Sequence, residues 1–139
     1  MRMGNVVAES LNIRAEYLRK HPMSLRRVLV VEDEMVVAML VEDMIADLGY
    51  EVAGIVSRVD DAMKLVDSEG FDVAVLDVHL NGRLIFPFAD ALAERHIPFV
   101  FATGYGERGI PREHSGWPVL QKPFRAEDLK RALDRLDAI

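Results

Sequence analysis

Five polar residues follow short apolar runs in this chain, and together they could carry out phosphoryl chemistry. They are Glu32, Asp33, Asp77, Thr103 and Lys122. Carboxylates that share one site repel each other, so such a site either holds a proton or binds a cation. An oxygen-lined acidic site without cysteine suits a hard divalent ion, and Mg²⁺ is the usual choice where phosphate chemistry follows.

The same residues supply the other groups that a phosphoryl transfer needs. Thr103 offers a neutral hydroxyl donor and Lys122 a positive charge, and both can stabilise the oxygens of a transferring phosphoryl group. Asp77 is the natural nucleophile, because a carboxylate can form an acyl phosphate. Each residue alone also fits a purely structural role, such as a solvated helix start or a turn, so only their combination indicates a site.

A regular alternation of elements predicts where these residues lie. The patterns predict strands at 27–31, 51–56, 72–76, 97–102 and 118–120, and helices at 34–48, 60–69, 87–95 and 126–136. Five strands alternating with helices predict a doubly wound, five-stranded parallel α/β sheet. Ligands bind outside the carboxyl ends of such strands, where all five residues fall, and the chain turns at Asn81 and Gly82 just after Asp77.

The glycine-rich stretch at 104–116 interrupts this alternation. It contains four glycines and one proline, so it predicts at most a short, mobile helix. His96 and His114 show no ligand spacing and are predicted to be surface residues.

Composition narrows the classes of function. The chain has 139 residues, half of them hydrophobic and 29% charged, which predicts one globular domain at 25–139. The net charge of -6 and pI near 5.2 disfavour direct nucleic-acid binding. The absence of cysteine fits a reducing cytoplasm. The longest apolar run, 35–41, is too short to span a membrane.

Residues 1–24 differ from the rest of the chain. Val7, Leu11 and Leu18 could lie on one face of a short helix that ends at His21 and Pro22. Three interpretations stay open for this segment: a mobile leader, a stretch upstream of a true start at Met23, or a helix that docks on the domain or on a second copy.

The order of four short motifs resembles the receiver domain of bacterial two-component response regulators. The motifs are Val-Val-Glu-Asp-Glu at 30–34, Val-Leu-Asp-Val at 75–78, Phe-Ala-Thr-Gly at 101–104 and Gln-Lys-Pro-Phe at 121–124. The resemblance runs from Arg26 to the end of the chain and implies a flavodoxin-like sheet with strand order 2-1-3-4-5. It also implies a stand-alone signalling protein that is not a turnover enzyme, with homodimerisation possible.

The resemblance also implies a role for each site residue. Asp77 would accept a phosphoryl group from a sensor histidine kinase or phosphotransfer protein. Asp33, Glu32, Asp77 and the backbone carbonyl of His79 would bind Mg²⁺. Thr103 would turn inward on phosphorylation, and Lys122 would bind a phosphoryl oxygen. The Lys122–Pro123 peptide bond would be cis, a geometry nearly confined to proline.

Three features depart from the usual receiver pattern. Glu32 replaces the first of two aspartates, and Val119 occupies the position of the usual aromatic switch residue. Phe-Ala-Thr-Gly-Tyr at 101–105 is similar to the motif of a variant group named FAT GUY, in which the fourth helix is plastic. The hypothesis is therefore that phosphorylation orders 104–116 and changes the surface beside the fifth strand and last helix.

Two other functions stay open on the sequence. The motif of a phosphatase of the haloacid-dehalogenase type has a second aspartate two residues after the nucleophile, where this chain has His79. A receiver-fold interaction module that never takes phosphate is the other alternative, although it would not need the complete set of polar residues.

Overall fold

The structure, a computed structural model, describes residues 26–137. The strands are β1 (Arg27–Val31), β2 (Glu51–Val56), β3 (Val73–Asp77), β4 (His79–Leu80), β5 (Arg83–Leu84), β6 (Phe99–Thr103) and β7 (Val119–Gln121). The helices are α1 (Met35–Asp47), α2 (Val59–Lys64), α3 (Phe86–Glu94) and α4 (Ala126–Leu136). The predicted extension at 1–24 lies outside the described residues.

Five of the strands form one parallel sheet in the order β2-β1-β3-β6-β7. This is the predicted doubly wound, flavodoxin-like order, and the prediction is confirmed. β3 lies in the centre, and every residue of β3 is buried because helices cover both faces of the sheet. The apolar run that ends on Asp77 has the composition that such a central strand needs.

The helices form two layers, one on each face of the sheet. α1 and α4 pack on one face, where Ile45 and Leu133 belong to one buried cluster with Val75 of β3. α2 and α3 pack on the other face, where Ala62 and Leu92 join a second cluster. The apolar residues of each helix recur at three- and four-residue spacing, and this period places them on one side.

A small hairpin after β3 was not predicted as strand. β4 and β5 pair antiparallel around Asn81 and Gly82, which have φ angles of 48° and 79°. Two positive φ angles are what a type I′ hairpin turn requires, and Asn-Gly is the preferred sequence for that turn. The predicted turn is therefore confirmed, and the strands on either side of it escaped prediction because each is only two residues long.

One helix is shorter than predicted. The helix predicted at 60–69 ends at Lys64, after which the chain continues through turns to β3. The glycine-rich stretch holds two 3₁₀ turns, Gly106–Gly109 and Arg112–His114, which agrees with the prediction of at most a short helix there. In the part of the chain that the structure describes, no helix is long and apolar enough to cross a bilayer.

Because α3 packs closely against the sheet, truncation of a buried side chain on α3 should leave a cavity and lower the free energy of unfolding. Leu92 is completely buried, so Leu92→Ala should lower the free energy of unfolding by about 2–5 kcal/mol. Leu84 is half exposed, so Leu84→Ala should cost less than about 1 kcal/mol. Urea denaturation measures both values, and an equal cost for the two substitutions would contradict this packing.

Candidate functional site

Three carboxylates meet at the carboxyl ends of two neighbouring strands, β1 and β3. Glu32 and Asp33 follow β1, and Asp77 is the last residue of β3, which lies beside β1 in the sheet. Oxygen atoms from these three side chains lie within 4.8 Å of one another. The sheet therefore brings together the acidic residues that the sequence placed at its strand ends.

Lys122 closes the carboxylate cluster from the edge of the sheet. It follows β7, and its Nζ lies 2.6 Å from Glu32 Oε1 and 3.3 Å from Asp77 Oδ1. Burial lowers the pKa of Lys122. The hydrogen bond and charge of Glu32 and the charge of Asp77 raise it by more than burial lowers it, so the pKa lies above its usual value and the ammonium is retained. The Lys122–Pro123 peptide bond is cis, as the resemblance implied.

Asp77 is the carboxylate whose protonation the site changes most. Burial raises its pKa, the nearby charge of Glu32 raises it further, and Lys122 opposes both effects, with the result that the pKa reaches about 7. Without a cation, the site therefore holds a proton on Asp77 through much of the acidic range. This is one of the two outcomes expected for clustered carboxylates.

Asp33 is held by the hairpin that the sequence analysis did not predict. The backbone N–H of Asn81 donates to Asp33 Oδ2 at 3.0 Å, and the Asn81 side chain donates to the Ser57 carbonyl at 3.3 Å. Burial raises the pKa of Asp33, but the Asn81 N–H and other hydrogen bonds lower it more, so Asp33 stays ionised. The Asn-Gly pair was the sequence signal that could have revealed this contact.

Thr103 ends β6 and connects the site to the glycine-rich stretch. It follows Ala102, the residue paired with Asp77, and it is almost completely buried. Its Oγ1 accepts a hydrogen bond of 3.2 Å from the Tyr105 backbone N–H. A Cβ atom at Gly109 would lie 3.0 Å from Thr103 Oγ1, closer than an ordinary contact, so glycine lets the first 3₁₀ turn lie against Thr103 without displacing it.

His79 and Val119 occupy different surroundings. The His79 ring is exposed and lies 5.9 Å from the Tyr105 ring in an edge-to-face arrangement. Val119 is half-buried and packs against the cluster under α3, as Trp117 does. Trp117, two residues before Val119 in the sequence, is half-buried and stacks on Phe99 with ring centroids 4.0 Å apart.

His114 is not the surface residue that the sequence predicted. Its side chain is only 12% exposed, and its ring stacks on Phe86 with centroids 4.6 Å apart. Its Nε2 lies 2.7 Å from Asp90 Oδ1, so the second 3₁₀ turn is attached to α3. Isolated histidines carry no spacing signal, and this contact depends on the path of the chain after β6. His96 is exposed, as predicted.

The raised pKa of Asp77 predicts a pH-dependent gain in stability when its charge is removed. As pH rises from about 4 to about 7, an unfolded Asp77 loses its proton while the folded one retains it, so the folded state loses relative stability. Without metal, Asp77→Asn should therefore add about 1–2 kcal/mol to the free energy of unfolding at pH 7.5 and little near pH 4.

Urea denaturation across this pH range measures the difference between Asp77→Asn and the native chain. Glu113→Gln removes the same charge at an exposed position and serves as the control. A gain that is equal at both pH values, or that Glu113→Gln reproduces, would contradict a raised pKa at Asp77.

Comparison with known proteins identifies the family. The model of the family described as response regulator receiver domain matches residues 28–134. The transcriptional regulatory protein PdtaR from Mycobacterium tuberculosis is 30% identical over 113 residues, which cover 78% of this chain and 55% of PdtaR. Nodulation protein W from Bradyrhizobium diazoefficiens is 34% identical over 76% of this chain and 48% of its own length. The chain spans about half the length of these curated relatives.

Solved structures agree with this assignment. The solution structure of SdrG from Sphingomonas melonis Fr1 is 42% identical, covers 81% of this chain and 97% of its own, and superposes with a TM-score of 0.73. The receiver domain of PhyR from Erythrobacter litoralis, at 24% identity and a TM-score of 0.72, covers 83% of this chain and 92% of its own and supports the fold. The chain belongs to the response regulator receiver domain family.

Proposed function

We propose that this protein is a stand-alone response regulator that accepts a phosphoryl group on Asp77 and signals through altered protein binding. The observation that carries the proposal is the site itself, in which Lys122 lies 2.6 Å from Glu32 and 3.3 Å from Asp77. Membership of the receiver family supports the same function, because receiver domains take phosphate from histidine kinases or phosphotransfer proteins.

The donor set fits a magnesium ion. Glu32, Asp33 and Asp77 offer three carboxylates, the hard oxygen ligands that Mg²⁺ prefers. The backbone carbonyl of His79 is part of the proposal, since His79 comes two residues after Asp77. A bound Mg²⁺ would supply positive charge to the oxygens of the transferring phosphoryl group.

The chain's own residues carry the transfer. An oxygen of the Asp77 carboxylate attacks phosphorus, and the phosphorus–nitrogen bond of a phosphohistidine breaks, leaving the electron pair on the imidazole nitrogen. Lys122 already points its ammonium at Asp77, so it can pair with a phosphoryl oxygen without a large movement. Thr103 supplies a hydroxyl that can donate to another phosphoryl oxygen once its present contact with Tyr105 changes.

The output of this event is proposed to lie in the glycine-rich stretch. Phosphorylation adds about 1.5–2 negative charges and strong acceptor oxygens beside Thr103. Because Thr103 contacts the backbone of Tyr105 and lies against Gly109, its movement would reorganise residues 104–116 directly. A relative, SdrG, has a solution structure in a BeF₃-activated conformation, and it is 41% identical to this chain with a TM-score of 0.70.

We also propose that the protein is cytoplasmic and does not turn over a substrate. Receiver-domain response regulators are generally not turnover enzymes. The position where a haloacid-dehalogenase-type phosphatase has its second aspartate holds the exposed ring of His79. The sensor kinase or phosphotransfer protein that donates the phosphoryl group, and the protein that reads it, are expected to bind on the surface around Asp77 and residues 104–116.

Acetyl phosphate with Mg²⁺ should add one phosphoryl group to the native chain, and intact-mass spectrometry should detect it. Asp77→Asn removes the nucleophile and should abolish the adduct. Lys122→Met removes the charge beside Asp77, and it should slow formation of the adduct on the order of 10²-fold. Omitting Mg²⁺ should also abolish the adduct if the carboxylate cluster binds the ion.

Lys130→Met is the matched control, because Lys130 lies on the exposed side of α4 and, among residues 26–137, its ammonium pairs with Asp134 and not with the carboxylate cluster. It should leave the rate unchanged. If the native chain forms no adduct while Mg²⁺ is present, the receiver-fold interaction module becomes the better explanation. Sustained hydrolysis of an organic phosphate would instead favour the phosphatase.

Binding of BeF₃ in the presence of Mg²⁺ should slow amide hydrogen exchange in residues 104–116. The expected reason is that Thr103 moves towards the bound anion and the 3₁₀ turns repack around it. Exchange should stay unchanged in Asp77→Asn under the same conditions. Unaltered exchange in the native chain, with BeF₃ bound, would refute this mode of readout.

A further inference from the structure

One side of α1 presents a continuous outer stripe that no described residue covers. The outer stripe consists of Met35, Val36, Met39, Leu40, Asp43 and Asp47, which recur at three-, four- and seven-residue spacing on the side opposite the buried Ala38, Val41 and Ile45. Its four apolar side chains are 54–72% exposed. Single exposed apolar residues are normal on proteins, but a contiguous group marks an interaction surface.

The outer stripe divides into two halves of different chemistry. The half near the carboxylate cluster is apolar, because Met35 and Val36 begin the helix directly after Glu34. The far half is acidic and ends at Asp47. α1 contains no basic residue, and within the described chain Asp43 and Asp47 form no salt bridge. A partner that fits this surface therefore has an apolar end and a basic end.

We propose that the N-terminal segment, residues 1–25, docks along the outer stripe of α1. This segment lies outside the described residues, and its sequence has the complementary chemistry. It carries four basic and two acidic side chains, whereas residues 26–139 carry 13 basic and 21 acidic ones. Three of its basic residues, Arg14, Arg19 and Lys20, come close to its end, and the apolar Val7 and Leu11 come earlier.

The connection to β1 fixes the direction in which the segment can run. Arg26 precedes β1, and its carbonyl accepts from the N–H of Glu51, which starts β2 just after α1 ends at Asp47. The segment therefore enters at the acidic end of the outer stripe. Its basic residues are the first to meet the stripe, and its apolar residues lie further along, towards Met39.

The spacing of the two sequences agrees with this direction. Arg19 and Leu11 are eight residues apart, as are Asp47 and Met39. As a helix, the segment would advance about 12 Å over that interval, and so does α1. The proposal therefore pairs Arg19 with Asp47, and Leu11 with Met39 or Leu40. Tethering strengthens such contacts, since the linked segment stays at a high effective concentration.

A second copy is a poorer occupant for this surface. Two α1 stripes facing each other would bring four carboxylates, from Asp43 and Asp47 of each copy, into one interface without a basic partner on either helix. Like charges at an interface are unfavourable, whereas the N-terminal segment supplies the opposite charge. The docking also places the segment next to the rim of the Asp77 site.

A spin label on the full chain tests the docking directly. The chain contains no cysteine, so Ser10→Cys provides a unique attachment site for a nitroxide. Amide NMR signals of Met35–Leu40 should lose most of their intensity, while those of α2, on the opposite face of the sheet, should be retained. Asp43→Lys combined with Asp47→Lys should restore the α1 signals, and Asp61→Lys combined with Glu94→Lys, on α2 and α3, should not.

Cross-linking gives a second readout that does not depend on the charge variants. Leu11→Cys combined with Met39→Cys should form an intramolecular disulfide on mild oxidation, whereas Leu11→Cys with Met63→Cys should not. Undiminished signals along α1, or no disulfide at Met39, would overturn the proposal. Signal loss seen only between labelled and unlabelled molecules in a mixture would overturn it in favour of a second copy. Neither measurement requires phosphorylation of Asp77, so failure of the proposed function leaves this test intact.

Discussion

The convergence of like charges at the carboxyl ends of β1 and β3 is the constraint on which the site depends. Glu32, Asp33 and Asp77 would repel each other if the fold supplied nothing else. The fold supplies Lys122 from the edge strand and the backbone N–H of Asn81 from the hairpin, and each of these lies within hydrogen-bonding distance of a carboxylate. Burial and the charge of Glu32 together raise the pKa of Asp77, and the negative charge that Lys122 leaves unbalanced would favour a bound cation.

The second consequence of this arrangement is that the site is joined to the glycine-rich stretch. Thr103 is buried at the end of β6, and its hydroxyl holds the start of the glycine-rich stretch. The other end of the stretch is held as well. His114 stacks on Phe86 and contacts Asp90, and Trp117, which follows the stretch, stacks on Phe99. Its two ends are therefore fixed, and its glycines lie between them. A change at Thr103 has a short physical route into this segment, which does not require an aromatic residue at Val119.

The surface of α1 and the interior of the site follow the same physical rule. In the site, buried carboxylates have partners because an unpaired buried charge is costly. On α1, Asp43 and Asp47 remain hydrated, so they can stay unpaired at little cost, whereas the neighbouring methionines and aliphatic residues lose favourable burial. This difference explains why the apolar half of the outer stripe is the stronger indication of a partner, and why the acidic half determines the partner's charge.

The sequence by itself determined the sheet and the identity of the polar residues at its strand ends. Apolar runs that end on Asp77 and Thr103, and helices with apolar residues at regular spacing, are local patterns that a chain shows without tertiary structure. The hairpin could also have been predicted from Asn81 and Gly82. The tertiary structure alone decided the distances from Lys122 to Glu32 and Asp77, the burial of His114 and the close approach of Gly109 to Thr103. These features join residues that are far apart in the chain, or that lie where no periodic pattern constrains the backbone, so they depend on how the strands and loops pack.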